Sequence, residues 1–237
     1  MKGIELAARF SYITNSLGFC GPGEASEQFL NFFKNKENPE LIGSQLKKFE
    51  GLYPYLSCIA DKSKKELFDY KVVEAYWIGN SLLDEFNDED LENIIRRLTK
   101  RGLPKSIGDD LIKRLPSGLV PHHNFNVFYV GVGRITGSVE LTVQNMDNCR
   151  VSWGKVLDIS AGKLVVETSC LKSKDDKLYL GKEEIKTAIY FPELFADLKK
   201  GDVIAMHWGF AVVKLDEIQA ADLIKYTYRI LEAVNSA

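Results

Sequence analysis

"CRVSWGKVLDISAGKLVVETSCLK", residues 149–172, decides the fold. Residues alternate in character along "RVSWGKVLDIS", an "AG" dipeptide turns the chain, and "KLVVETSCLK" runs on in β-branched residues. Period-2 runs separated by turn residues read as paired strands. Downstream, "KSKDDK" predicts a second turn, "LYLG" another strand, and "GDVIAMHWGFAVVKL" (201–215) the last strands. "DEIQAADLIKYTYRILEAVNS" then closes the chain as an amphipathic helix. Several short strands and one terminal helix predict a small closed or nearly closed barrel of the OB-like kind.

Upstream of this segment the pattern is helical. "GIELAARFSYITNSLG", "EASEQFLNFFKN", "PELIGSQLKKFEGLYPYLSCIAD" and "YKVVEAYWIGNSLLDEF" carry apolar residues at helical spacing. "NDEDLENIIRRLTKRG" is the clearest helix: Asn87 or Asp88 caps it, acids fill its first turn, and Arg96, Arg97 and Lys100 sit at its negative end. "SIGDDLIKRL" ends the series. Between Pro116 and Asn148, two prolines and four glycines exclude one continuous helix. There the pattern suggests an extended run, "FNVFYVGV", and a short helix near "VELTVQNM". The fold class expected is therefore α+β, with a helical domain over 1–120, a connecting segment over 121–148 and a barrel with its C-terminal helix over 149–237.

Composition removes several function classes. The chain has 237 residues, 45% of them apolar and 27% charged, with a formal net charge of −2. The charges are spread over both halves, so the cationic groove of a nucleic-acid-binding barrel is not expected. No run approaches the roughly 20 apolar residues of a membrane span. "MKGIELAARFSYITNS" lacks the apolar core of a secretion signal. The four cysteines, at 20, 58, 149 and 170, form no CxxC pair. Reduced thiols and a cytoplasmic location are the expectation.

Two motifs in order, "CRVSWGKV" at 149–156 and "GDVIAMHWGFAVVKLDE" at 201–217, carry a resemblance to a known family. In both, the segment from Cys149 to about Val234 resembles the HypC family of [NiFe]-hydrogenase assembly chaperones. Members are small OB-like barrels with a C-terminal helix, a cysteine five residues before Gly-Lys-Val, and a His-x-Gly-Phe-Ala strand. Trp153 stands where the family has a proline, and the stretch between the motifs is longer. The resemblance implies an assembly factor, not a turnover enzyme. It implies transient binding of an iron centre bearing cyanide and carbon monoxide, with a maturation scaffold protein and the hydrogenase large subunit as partners. Cys149 matches the family's essential cysteine and His207 its strand histidine. Trp153, Gly154 and Trp208 would line such a site.

A thiolate and an imidazole suit a soft iron centre, provided the fold brings them together. Otherwise a lone cysteine or histidine on a strand is a buried core residue. The helical half holds its own candidates. Cys20 precedes a Gly-Pro-Gly turn, where a helix start could lower a thiol pKa. His122 and His123 are adjacent, and on an extended chain they would face opposite ways. A cysteine- or metal-dependent enzyme using Cys20 with His122 or His123 is the alternative reading.

Overall fold

The computed structural model describes residues 1–236. Seven helices open the chain: α1 (Gly3–Ser16), α2 (Ala25–Asn35), α3 (Pro39–Leu46), α4 (Tyr53–Ser63), α5 (Tyr70–Trp77), α6 (Asp88–Thr99) and α7 (Lys105–Lys113). On α6 the cap is Asn87, whose side chain accepts from Asp90 N–H while the Asp90 carboxylate accepts from Asn87 N–H. Two backbone donors left bare by the first turn are thereby satisfied. "PELIGSQLKKFEGLYPYLSCIAD" divides into α3 and α4, with Pro54 in the first turn of α4, where its missing N–H costs nothing.

The stretch "FNVFYVGV" is not extended. A single turn, α8 (His123–Phe125), runs into a π-helical turn at Asn126–Gly131. Phe125, Val127, Phe128 and Val130 are all buried, so a nearly continuous apolar run here serves a largely buried helical turn rather than a strand. The short helix expected nearby is α9 (Val143–Cys149). Cys149 therefore closes a helix instead of opening a strand.

Five strands follow: β1 (Ser152–Ser160), β2 (Lys163–Lys174), β3 (Lys177–Ile189), β4 (Val203–His207) and β5 (Phe210–Leu215). They close in the order β1-β2-β3-β5-β4, with β1 and β4 sealing the barrel through Ser152↔Met206 and Trp153↔Ala205. β3 and β5 meet in parallel at Ile189↔Phe210. Asp175 and Asp176, at φ 51° and 60°, form the β2–β3 turn. Trp208 and Gly209, at φ 51° and 69°, form the β4–β5 turn. Two consecutive residues at positive φ are what a two-residue hairpin on twisted strands requires. The amphipathic helix α10 (Glu217–Asn235) ends the chain, as the α+β class with a terminal helix demands. Among the described residues, no helix is long and apolar enough to cross a membrane.

Two apolar clusters organise the molecule. A small one, including Val156, Leu164, Val166, Ile204 and Met206, fills the barrel. The larger one runs from the helices onto the outer face of β4 and β5, through Ala205, Phe210, Val212 and Leu215, and under α10. Side chains on a strand alternate between faces. On β4, Ile204 and Met206 enter the lumen, while Ala205 and His207 face the helices.

Candidate metal centre

His207, Cys149 and His123 meet in the seam between the helical half and the barrel. Their ligand atoms all lie within 4.8 Å of one another, and all three residues are buried. Each sits at an element's end: β4 for His207, α9 for Cys149, α8 for His123. Cys149 Sγ is 3.9 Å from His207 Nε2 and 3.8 Å from His123 Nε2.

The surroundings orient the rings. His207 Nδ1–H donates to the Phe10 carbonyl of α1 at 2.9 Å, leaving Nε2 with its lone pair toward the sulfur. This is the outer contact that metal-ligating histidines make. His123 Nδ1 lies 2.9 Å from Tyr76 Oη, and that hydroxyl lies 2.8 Å from the Gly51 carbonyl. With Nδ1 protonated, the chain His123 Nδ1–H to Tyr76 Oη–H to Gly51 O is complete and Nε2 is free to ligate. With the proton on Nε2, that atom donates instead to the Cys149 carbonyl, 2.9 Å away. A neutral imidazole has one N–H, so the two arrangements exclude each other.

Asn124 fixes the distances. Its Oδ1 accepts from Val151 N–H at 2.8 Å, and its Nδ2 donates to Thr227 Oγ1 at 2.9 Å and to the Val151 carbonyl. One side chain thereby ties α8 to the start of the barrel and to α10. Trp208 N–H donates to the Asn148 carbonyl at 2.7 Å, holding the hairpin tip against α9. Trp77 packs beside both rings, at centroid distances of 4.4 Å from His123 and 5.4 Å from His207.

Burial keeps the site uncharged. It lowers His207 to about 4, and it holds His123 well below the ordinary histidine value, helped by the neighbouring His207. Burial also raises the Cys149 thiol. The Trp208 indole N–H faces the sulfur and opposes that shift, at a geometry short of a hydrogen bond. At neutral pH the imidazoles are therefore bare ligands and the sulfur keeps its proton until a cation displaces it.

A cavity of about 60 Å³ opens over the three ligands. Cys20 and Trp208 line it together with Cys149, His207 and His123. The Cys20 thiol is pushed up to about 12 by burial and by Glu50, so the turn beside it does not activate it. His122 stays outside. Its Nδ1 accepts from Asn124 N–H as the cap of α8, and the cavity does not reach it. Trp153 and Gly154 do not line the cavity either. Trp153 lies under the Arg150 guanidinium at 5.9 Å, and a Cβ on Gly154 would come within 2.9 Å of the Met206 methyl, so this glycine serves barrel packing. Sequence reasoning put His123 with Cys20 and missed it as the partner of Cys149 and His207. It also missed Tyr76 and Asn124. No spacing signal links these positions; only the HHN run, where ring and staple are adjacent, hints at them.

The residues fit a transition metal. Ligand bonds of about 2.05 Å to nitrogen and 2.3 Å to sulfur place neighbouring donors about 3.6 Å apart in a tetrahedron. The observed 3.8 and 3.9 Å sulfur–nitrogen distances need contractions of only a few tenths of an ångström, and the imidazole nitrogens, within 4.8 Å of each other, would close by up to about 1.5 Å. Three protein ligands below a cavity leave a position free, unlike a closed structural site.

A family model described as "Family of unknown function (DUF6390)" matches residues 1–237, the full length given. The chain belongs to DUF6390. No curated protein and no solved structure matches it. For DUF6390, then, the function has to be reasoned from the site itself.

Proposed function

We propose that this protein is a metal-handling assembly factor that holds a transition-metal centre through Cys149, His207 and His123. In the specific form given by the barrel's likeness to HypC, the cargo is an iron centre with cyanide and carbon monoxide ligands. It is held in the cytoplasm and passed, with a maturation scaffold protein, to a hydrogenase large subunit. The observation that carries the reading is the 3.9 Å approach of Cys149 Sγ to His207 Nε2, since these two residues come from the two motifs of the resemblance. The helical half adds the third ligand and the hydrogen bonds that orient both rings. A thiolate is supplied by Cys149, and the two neutral imidazoles leave the charge of the centre to the sulfur and the cargo.

A second reading, a cysteine- or metal-dependent enzyme, is favoured by one observation: Cys20 and His123 line the same cavity. A nucleophilic cysteine works as thiolate, and burial raises both thiols here. Without a metal neither is activated, which ranks a metal-free cysteine enzyme second. The test is anaerobic co-expression with a hydrogenase scaffold protein, followed by metal analysis and infrared spectroscopy. Co-purification with iron and bands of bound cyanide and carbon monoxide, lost in Cys149→Ala and kept in Cys20→Ala, support the assembly role. Metal without those bands in the wild type removes the hydrogenase-specific part, and no metal at all removes the whole reading.

A further inference from the structure

Among the described residues, seven buried side-chain polar atoms have no hydrogen-bond partner, and three of them belong to residues of the metal cavity: Ser11 Oγ, Trp77 Nε1 and Trp208 Nε1. All three can donate. Their clustering is not a general feature of the surrounding helices. On α1, Thr14 and Ser16 turn their hydroxyls back onto the Ser11 and Ile13 carbonyls, the usual resort of a helical hydroxyl. Ser11 does not, although it is 1% exposed. A buried donor without an acceptor is a standing cost unless a ligand supplies one.

Charge points the same way. None of the residues lining the cavity is Asp, Glu, Lys or Arg. A bare divalent ion, without the cyanide of the iron cargo, sums with one thiolate and two neutral imidazoles to a single positive charge in a largely apolar enclosure. Such a charge is costly to bury unpaired. The room, about 60 Å³, corresponds to about four waters or a ligand of a few atoms.

We propose that the cavity binds a small monoanion, which takes the free position on the metal and accepts hydrogen bonds from Ser11 and the indole N–H groups. Ser11 lines the cavity from α1 and Trp208 from the β4–β5 turn. Cys20 lines the same cavity and is the rival for the metal's free position; the test below separates the two. This inference rests on the metal reading above.

The test loads the full-length protein with Co(II) and titrates azide while following the visible ligand-field bands. Saturable band shifts are expected, with the azide Kd weakened at least tenfold in Ser11→Ala and in Trp208→Phe, each measured on its Co(II)-loaded fraction. Each variant deletes one donor independently, so either folded one suffices. Co(II) uptake with bands indifferent to azide, the result if Cys20 fills the fourth position, overturns the inference alone. Azide binding of wild-type strength in both variants also overturns it. Failure of the wild type to take up Co(II) overturns the metal reading and this inference with it.

Discussion

Helix α9 carries two buried polar clusters two residues apart, and one is complete while the other is not. The Asp147 carboxylate accepts from Arg150 Nε at 2.9 Å, from Leu171 N–H at 2.7 Å and from Lys186 Nζ at 3.0 Å. Arg150, 2% exposed, also donates to the Ser169 carbonyl. Burial pushes Asp147 up, but Arg150 and Lys186 outweigh it and hold the carboxyl below its ordinary value. Opposite charges meet and the acceptors are filled, so the cluster clips α9 to the barrel. Around Cys149 there is no charge at neutral pH, and three donors lack partners. A closed network is structure; an open one, at the same depth, is a place for something else.

That contrast can be broken directly. Cys149→Ala, His207→Ala and His123→Ala should each weaken metal binding well over a hundredfold, beyond the range of outer-layer changes. Isothermal titration with Co(II) or Fe(II) measures this, and an unaffected His123→Ala would return the site to the two residues of the barrel. Asp147→Ala should act on the other side of the comparison. It strands the Arg150 charge and costs about 3–5 kcal/mol of stability. That corresponds to a drop of roughly 10 °C in Tm, readable by calorimetry. A small drop would mean the clip is not structural.

Acidification sharpens the contrast further. His207 protonates at about 4 and His122 at about 3 in the folded chain, because of burial, against about 6.5 when exposed. The unfolded chain therefore takes up protons first. The stability these rings contribute is full above about pH 6.5 and falls as pH drops toward 4, by up to about 1.4 kcal/mol per pH unit for each ring. Urea titrations at pH 7 and pH 5 test it; equal free energies at both would contradict the burial of the rings. Metal affinity should rise about tenfold per pH unit near neutrality, since only the sulfur loses a proton there. The smallest effect is expected from Tyr76→Phe. It removes one hydroxyl behind His123 and should cost about tenfold in metal affinity with little loss of stability.

Much of the architecture was legible because it is local. The cap of α6, the amphipathic stripes and the "KSKDDK" turn depend on residues a few positions apart. The pairing of Cys149 with His207 was legible only through two motifs, with 58 positions between them. "FNVFYVGV" misled, since an apolar run rich in β-branched and aromatic residues suits a strand and a largely buried helical turn alike. The direction of His207 was not legible either. Counting along β4 gives two faces, but not which of them meets the helices.

Composition and periodicity by themselves determined an α+β chain, helices first and barrel after, with no run long and apolar enough to span a membrane; the two motifs of the resemblance added a cysteine and a histidine. Tertiary structure alone decided that His123, Tyr76 and Asn124 belong with them, that His122, Trp153 and Gly154 do not, and that the site lies between the halves instead of inside the barrel. Periodicity encodes which side of an element is buried. What that side is buried against is set by packing between segments a hundred or more residues apart, as when Asn124 reaches Thr227 and His207 reaches Phe10.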